Sequence, residues 1–361
     1  MTLYKPSITY IDSVNISEVK GMKKIFIWVL SGLTAFTGVA AFIWFANPFD
    51  LRDRVLVSQI VKMRLAPKRL EIPKTPSDYA MLYSDVDIIT EDNILLSAWE
   101  IPSPTPSDKT VIVNNPLTTT RYGSNAGLDG VAAEFLPMVK HLHDVNYNIV
   151  MYDHRGQGES DGGLGSKVIG SEALVGAGVT EWQDVAAFLR YVLAHPQFGD
   201  DDIFFLSKCM GANAIFLAWK KEPDLFFNPQ IKGLTAIQPT LSYNMTDRFI
   251  RAKTGLDLVD RVLEAQQEEY GFGFAQALDY VPSLTVRMFY AQVKNDVYTF
   301  NQKTGQNDIQ LIMNAPPTEH SIVWIGPDQG TPFGTGQRFD GYQHFNTHPD
   351  ALLAFLSEQT R

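Results

Sequence analysis

The chain contains one cysteine, Cys209, and its neighbours are those expected around a nucleophile. An apolar run at 203–206 predicts a buried strand, and the segment 212–220 predicts a helix. Between them, SKCMG (207–211) places small residues two positions before and two after the cysteine, as a strained turn requires. The N–H groups and dipole of a helix start favour a thiolate and bind an oxyanion. The pattern predicts a nucleophilic cysteine; the alternative is a buried structural thiol.

The elements that must position this cysteine alternate between strands and helices. Strands are predicted at 85–90, 94–99, 110–114, 148–152, 202–206, 231–238, 286–293 and 321–325, and helices at 131–142, 182–194, 212–220 and 351–358. This alternation predicts an α/β fold with a mostly parallel central sheet and helices on both faces.

An insertion at about 241–283 separates two of the predicted strands. Its apolar and aromatic residues predict a small helical cap that shapes and desolvates a substrate pocket. The alternative interpretation is that these aromatic side chains only pack the cap onto the domain.

Four segments resemble the α/β-hydrolase superfamily, and the likeness extends over about 85–358. They are NNPLTTTRYG (114–123), DHRGQGESDGG (153–163), SKCMGANA (207–214) and RFDGYQHFNTHPDALLAF (338–355). Within that superfamily they resemble a group of cysteine-containing hydrolases that includes polyketide thiohydrolases, and the Cys-Asp-His order is similar to that of dienelactone hydrolases. The resemblance implies an α/β-hydrolase fold in which SKCMG is the nucleophile elbow and DHRGQGES supports the elbow and the lid.

The resemblance also implies that an acid and then a histidine follow the nucleophile along the chain. Asp296 directly follows the strand at 286–293, on the same edge of the sheet as the elbow, and is the predicted acid; the alternative is a turn-forming aspartate. His344 and His348 both lie in the loop after the last strand. His348 is preferred because the related sequences carry the histidine before a proline, although it could instead cap the final helix.

Two backbone N–H groups are expected to form the oxyanion hole. The residue after the nucleophile, Met210, supplies one. The loop after the strand at 110–114 supplies the other, and because Pro116 has no N–H, Leu117 is the expected donor. This loop carries Asn115-Pro116 where the related enzymes carry His-Gly or His-Pro.

Composition limits the classes of function that the chain can perform. It has 361 residues, of which 45% are hydrophobic and 19% charged, as in an ordinary globular protein. The formal net charge of -10 argues against a nucleic-acid partner. A single cysteine excludes an internal disulfide and a cysteine-based zinc site, and the predicted chemistry requires no metal and no organic cofactor.

The N-terminal region departs from the globular pattern. Residues 25–46 contain no charge, and at about 1.5 Å per residue a helix there is roughly 33 Å long, enough to cross a bilayer. The domains predicted are a tail at 1–24, a single transmembrane anchor at 25–46, a connector at 47–84 and the hydrolase domain with its cap at 85–361. The charges flanking the anchor leave the side of the membrane open.

These observations predict a membrane-anchored hydrolase of an ester, thioester or lactone. Cys209, His348 or His344, and Asp296 would form the triad that acts on a small-molecule acyl substrate. Two alternatives remain at this stage: an acyltransferase using the same site, and a non-catalytic binding protein with the hydrolase fold. The sequence does not define an oligomeric state.

Overall fold

The computed structural model describes residues 46–47, 50–124, 132–164, 173–301, 303–326 and 338–358, with only the backbone for 338–340. The chain divides into a unit that ends at Leu56 and a unit from Val57 to Arg361. Helix α1, Leu51–Leu65, contains this boundary. The sheet, the cap and the candidate site all lie in the second unit.

Eight strands form one sheet in the spatial order β1-β2-β4-β3-β5-β6-β7-β8. They are β1 (Ser84–Ile89), β2 (Leu95–Ile101), β3 (Lys109–Asn114), β4 (Asn148–Tyr152), β5 (Asp202–Lys208), β6 (Ile231–Ile237), β7 (Met288–Val293) and β8 (His320–Ile325). The β1–β2 and β2–β4 pairs are antiparallel, and the remaining pairs are parallel. The predicted mostly parallel sheet is confirmed.

The central strands are buried on both faces. Every residue of β4 and β7 is buried, which explains why the sequence there reads as a continuous apolar run rather than an alternating one. One apolar cluster includes Phe205, Tyr290 and Trp219, and a second, on the other face, includes Phe204, Phe289 and Phe355. Because the strands from β3 to β8 are parallel, their carboxyl ends meet at one edge of the sheet.

Helices cover both faces of the sheet. Those outside the insertion are α2 (Leu136–Asp144), α3 (Trp182–Ala194), α4 (Met210–Lys221), α5 (Pro223–Phe226), α9 (Ile309–Asn314), α10 (Arg338–Gln343) and α11 (Asp350–Glu358). The helix predicted at 131–142 was placed too early, because Ala133–Glu134 is a short strand paired with Gly123–Ser124. Pro137, in the first turn of α2, fixes the later start.

Between β6 and β7 the chain forms α6 (Ser242–Thr254), α7 (Val259–Tyr270), α8 (Ala277–Tyr280) and a 3-10 turn, Val281–Ser283. We refer to α6 and α7 as the cap helices. Arg64, at the end of α1, donates to Thr246 of α6 (2.8 Å) and to Gln266 of α7 (3.3 Å). Its guanidinium lies 4.2 Å from the ring centroid of Phe274, and burial lowers the pKa of Arg64 to about 10. This buried cation fastens α1 to the cap helices.

The predicted anchor at 25–46 lies outside the described residues except for Ala46. Among the residues that the structure does describe, no helix has both the length and the hydrophobicity needed to span a bilayer.

Candidate active site

Cys209 lies in a tight turn between β5, which ends at Lys208, and α4, which begins at Met210. Its backbone has φ 48° and ψ −109°, in the left-handed half of the map that residues with a Cβ avoid. The N–H of Cys209 donates to the carbonyl of Ile237 at the end of β6 (2.9 Å). The strain, of order 1–3 kcal/mol, is of the kind that gathers at functional sites.

The small neighbours of Cys209 are explained by the end of β3. A Cβ on Gly211 would stand 2.7 Å from the carbonyl carbon and oxygen of Asn114, so only glycine fits. Ser207 is fully buried, and its hydroxyl accepts a hydrogen bond from the Asn114 side chain (2.8 Å). Both small positions are therefore required by the close approach of β3 to the elbow.

The first turn of α4 begins at the cysteine. The carbonyl of Cys209 accepts the N–H groups of Ala212 and Asn213, each at 3.1 Å. The cysteine is 7% exposed and belongs to the same apolar cluster as Tyr342 and Phe345. The segment that carries the candidate histidines thus packs in the same cluster as the elbow.

The two predicted oxyanion donors have free amides within the described part of the chain. Met210 is buried beside Cys209, and Leu117 is half-buried in the turn after β3. Neither backbone N–H donates to another described residue. Such donors are what an oxyanion needs, because an N–H already bonded within the protein is not available to substrate.

Asp296 lies in the turn after β7, as predicted, and is fully buried. One carboxylate oxygen accepts the N–H of Tyr298 (3.0 Å), and its carbonyl accepts the N–H groups of Thr299 and Phe300. This is the geometry of an aspartate that stabilises a turn. Neither His344 nor His348 hydrogen-bonds to Asp296 in the described structure.

His344 and His348 lie one above the other, their rings parallel within 6° and their centroids 5.0 Å apart. His344 begins the 3-10 turn His344–Asn346 and is 5% exposed, and its Nδ1 is buried without a hydrogen-bond partner among the described residues. Burial, with a smaller contribution from His348, lowers the pKa of His344 to about 4. His348 is half-buried, and its Nδ1 lies 2.9 Å from the hydroxyl of Thr347.

Side-chain amides fix the histidine segment. Asn346 bonds to the carbonyl of Glu134 (2.8 Å) and to the N–H of Met138 (3.2 Å), which ties the segment to α2. On its other side, a Cβ on Gly341 would stand 2.8 Å from the side chain of Gln238. Because Gln238 follows β6 and accepts the N–H of Val293 at the end of β7 (2.9 Å), the segment lies at the carboxyl edge of the sheet.

The structure therefore brings together some of the predicted catalytic and oxyanion-hole residues. Cys209 and Met210 share the elbow, Leu117 follows the adjacent strand β3, and the two histidines are stacked. Asp296 follows β7 at the same edge of the sheet but makes no hydrogen bond to either histidine. Among the described residues no cluster of histidine, cysteine and carboxylate side chains could hold a metal ion.

Sequence analysis did not assign a role to Lys208, the residue before the nucleophile. It is fully buried, its Nζ lacks a hydrogen-bond partner among the described residues, and it lies 4.2 Å from the ring centroid of Phe135. Burial lowers the pKa of Lys208 from 10.5 to about 7. The only signal in the sequence was a lysine at the end of an apolar strand. That signal does not show that the lysine side chain is buried.

Comparison with known proteins agrees with this architecture. Residues 126–270, less than half of the chain, match the family described as serine aminopeptidase, S33. No curated protein matches the chain.

Three solved structures share the fold. An esterase of Pyrococcus furiosus is 20% identical, with 82% of this chain and 98% of that chain covered and a TM-score of 0.59. An α/β hydrolase from Penicillium is 16% identical, with 77% and 99% covered and a TM-score of 0.50. A hypothetical protein from Pseudomonas aeruginosa is 13% identical, with 77% and 94% covered and a TM-score of 0.50. Strand order, elbow and these likenesses together define an α/β-hydrolase fold.

Replacing Lys208 by Met should remove a pH-dependent contribution to stability. The pKa of Lys208 is lower in the folded than in the unfolded chain, so the unfolded chain binds more protons between about pH 7 and 10.5, and stability rises with pH across that window. The free energy of unfolding of the wild type should therefore rise relative to that of Lys208→Met by up to about 1.4 kcal/mol per pH unit. Denaturant titrations at pH 7 and pH 9.5 measure this.

The matched control is Lys220→Met, an exposed lysine at the far end of α4, which should leave the pH dependence of stability as it is in the wild type. Parallel pH profiles for the wild type and Lys208→Met would contradict the burial of an unpaired amine.

Proposed function

We propose that the protein is a cysteine hydrolase of ester, thioester or lactone bonds. The observation that carries the proposal is Cys209 itself, held at φ 48° between β5 and α4 at the carboxyl edge of an α/β-hydrolase sheet. Two backbone N–H groups that bond to no described residue, at Met210 and Leu117, support it, as does an esterase among the solved structures of the same fold.

In the proposed reaction the Sγ of Cys209 attacks the acyl carbonyl carbon, and its proton passes to a histidine imidazole. The carbonyl oxygen becomes an oxyanion that accepts the N–H groups of Met210 and Leu117. Collapse of this intermediate expels the alcohol or thiol, which takes the proton from the imidazolium, and leaves an acyl thioester on Cys209. Water, deprotonated by the same histidine, then attacks the thioester, and the carboxylic acid is released as the imidazolium returns its proton to the sulfur of Cys209.

We assign the base to His348 rather than His344. A base must accept a proton near neutral pH, and burial holds the pKa of His344 at about 4. His348 is half-buried and next to Pro349, as in the sequences that the chain resembles. In this proposal His344 is the neutral stacking partner of His348, and Asp296 turns its carboxylate to the imidazole once substrate is bound, since catalytic hydrogen bonds are often long before substrate binds.

The chemistry of a thiol favours activated acyl groups. The intermediate is itself a thioester, so esters of good leaving groups, thioesters and strained lactones are preferred to peptide bonds. An acyltransferase differs only in that an alcohol or thiol replaces water in the second step. If an added alcohol or thiol increases the rate at which a given acyl donor is consumed, the protein is an acyltransferase.

One observation favours a second function, that of a non-catalytic binding protein. Asp296 accepts the N–H of Tyr298 within its own turn, which is the contact of an aspartate that stabilises a turn. An ester and thioester panel separates the two functions, because a binding protein would leave every substrate intact.

Cys209→Ala should reduce hydrolysis by at least about a thousandfold, because the nucleophile is lost while the oxyanion hole and binding remain. Initial rates on p-nitrophenyl butyrate and on an S-acyl N-acetylcysteamine thioester measure this. Cys209→Ser is the matched variant, since its hydroxyl occupies the same elbow, and it should retain measurable esterase activity. Wild-type turnover by Cys209→Ala, with an unchanged unfolding midpoint, would rule out the mechanism.

His348→Gln and Asp296→Asn should each lower kcat by about a hundredfold or more, and the double variant should lose little beyond the larger single effect. The reason is that the two side chains act as one unit, so removing either disables both. His344→Gln should cost much less, since it removes only a stacked neutral ring. Steady-state kinetics of the four variants decides the assignment, and a larger loss in His344→Gln than in His348→Gln would exchange their roles.

We also propose that residues 25–46 anchor the protein to a membrane as a single span. The support is the uncharged sequence of this segment. Full-length protein expressed in cells should stay in the pellet after carbonate extraction, because a spanning helix is not released by breaking ionic contacts. A protein that begins at Asn47 and keeps α1 should stay in the supernatant. Release of the intact full-length chain by carbonate would disprove the anchor.

A further inference from the structure

Gln157 connects the two loops that carry the oxyanion donors. Its Oε1 accepts the N–H of Thr118 (2.6 Å) and of Thr119 (3.3 Å), in the turn after β3. Its Nε2 lies 3.9 Å from the Sδ of Met210, the residue after the nucleophile. One side chain that is 3% exposed therefore contacts both arms of the proposed oxyanion hole.

The orientation of this amide follows from its partners. Two N–H donors meet one end of the side chain, so that end is the carbonyl oxygen and the other end is the NH₂ group. An amide rotated by 180° would bring its NH₂ against both backbone N–H groups. Gln157 is therefore locked as an acceptor toward the β3 turn and as a donor toward Met210.

The contacts of Gln157 decide which amide of the β3 turn is left for a substrate. Three consecutive N–H groups follow Pro116, and Gln157 engages those of Thr118 and Thr119. The N–H of Leu117 donates to no described residue. Thr118 has φ 64°, so the turn is held in a left-handed conformation that its own sequence does not favour, and the bonds to Gln157 offset that strain.

The loop that carries Gln157 is itself rigid. Gly158 has φ 48°, and a Cβ there would stand 2.2 Å from a carboxylate oxygen of Asp153. Asp153 also accepts the N–H of Glu159 (2.9 Å), and Arg69 donates to the carbonyls of Gly158 (3.0 Å) and Gly162 (3.1 Å). Gly158 and these hydrogen bonds thus fix the backbone from which the Gln157 side chain projects.

We infer that Gln157 is the positioning residue of the oxyanion hole, holding the Leu117 and Met210 amides in register for one oxygen atom. The inference rests on the proposed function. It gives the central glutamine of DHRGQGES a role in the reaction beyond support of the fold. Because Gln157 acts through the two amides and not on the substrate, its effect should be confined to steps that form an oxyanion.

The test compares reactions of Cys209 that do and do not form an oxyanion. Gln157→Met keeps the length of the side chain and removes the hydrogen bonds to Thr118, Thr119 and Met210. It should lower kcat for p-nitrophenyl butyrate by about tenfold to a hundredfold, with little change in KM, because the oxyanion exists only after attack. Affinity for an alkyl trifluoromethyl ketone, whose thiol adduct carries an oxyanion, should fall by a similar factor.

Alkylation of Cys209 by iodoacetamide displaces iodide and forms no oxyanion, so its rate in Gln157→Met should equal that of the wild type. The matched control is Gln230→Met, because Gln230 also bonds to two backbone groups of a loop, here by donating to the carbonyls of Gly199 and Asp201, but next to the amino end of β6. It should leave all three readouts unchanged.

Three outcomes are decisive. Unchanged kcat and ketone affinity in Gln157→Met would overturn the inference. An equal fall in hydrolysis and in alkylation would also overturn it, since that pattern indicates a displaced elbow rather than a misaligned oxyanion hole. Wild-type protein that is alkylated but hydrolyses no ester or thioester would refute the proposed function instead, and the ketone affinities would still report on Gln157.

Discussion

The backbone of Cys209 is the constraint on which the rest of the site depends. A non-glycine residue at φ 48° persists only if its surroundings hold it, and here the neighbouring strands do so. The carbonyl of Ile237 on β6 takes its N–H, while Asn114 on β3 leaves no room for a side chain at position 211. Strands β3 and β6 therefore hold the strained backbone of this one turn in place. As a result, the thiol lies at the start of α4.

Two buried polar groups of the candidate site lack hydrogen-bond partners among the described residues. The Nζ of Lys208 and the Nδ1 of His344 are both buried and unpaired within the described structure, and an unmet buried group destabilises the fold by about 1–3 kcal/mol. Burial shifts both pKa values toward the neutral form, to about 7 and about 4 respectively. In the proposed reaction, a low local dielectric would strengthen the hydrogen bonds that the backbone N–H groups donate to a developing oxyanion.

The sequence predicted the fold and the elbow because both follow from local rules. Alternating strand and helix patterns, together with SKCMG, sufficed for the sheet and for Cys209. The predicted start of α2 was wrong because two short paired strands, Gly123–Ser124 and Ala133–Glu134, have no periodicity that distinguishes them from a helix. Gln157 and Lys208 could not be assigned, since their roles arise from which loops the topology brings together. The choice between His344 and His348 stays a prediction. It depends on the surroundings of the two stacked rings in the folded protein, which local sequence does not determine.

The proposed mechanism requires that the substrate acylates Cys209. The most direct measurement is intact-protein mass spectrometry after rapid mixing with excess p-nitrophenyl butyrate and acid quenching, followed by peptide mapping. We expect a butyryl adduct on the peptide that contains Cys209, removed by neutral hydroxylamine as a thioester should be, and absent from Cys209→Ala. Ester turnover without any adduct on that peptide, or an adduct that persists in Cys209→Ala, would contradict the mechanism.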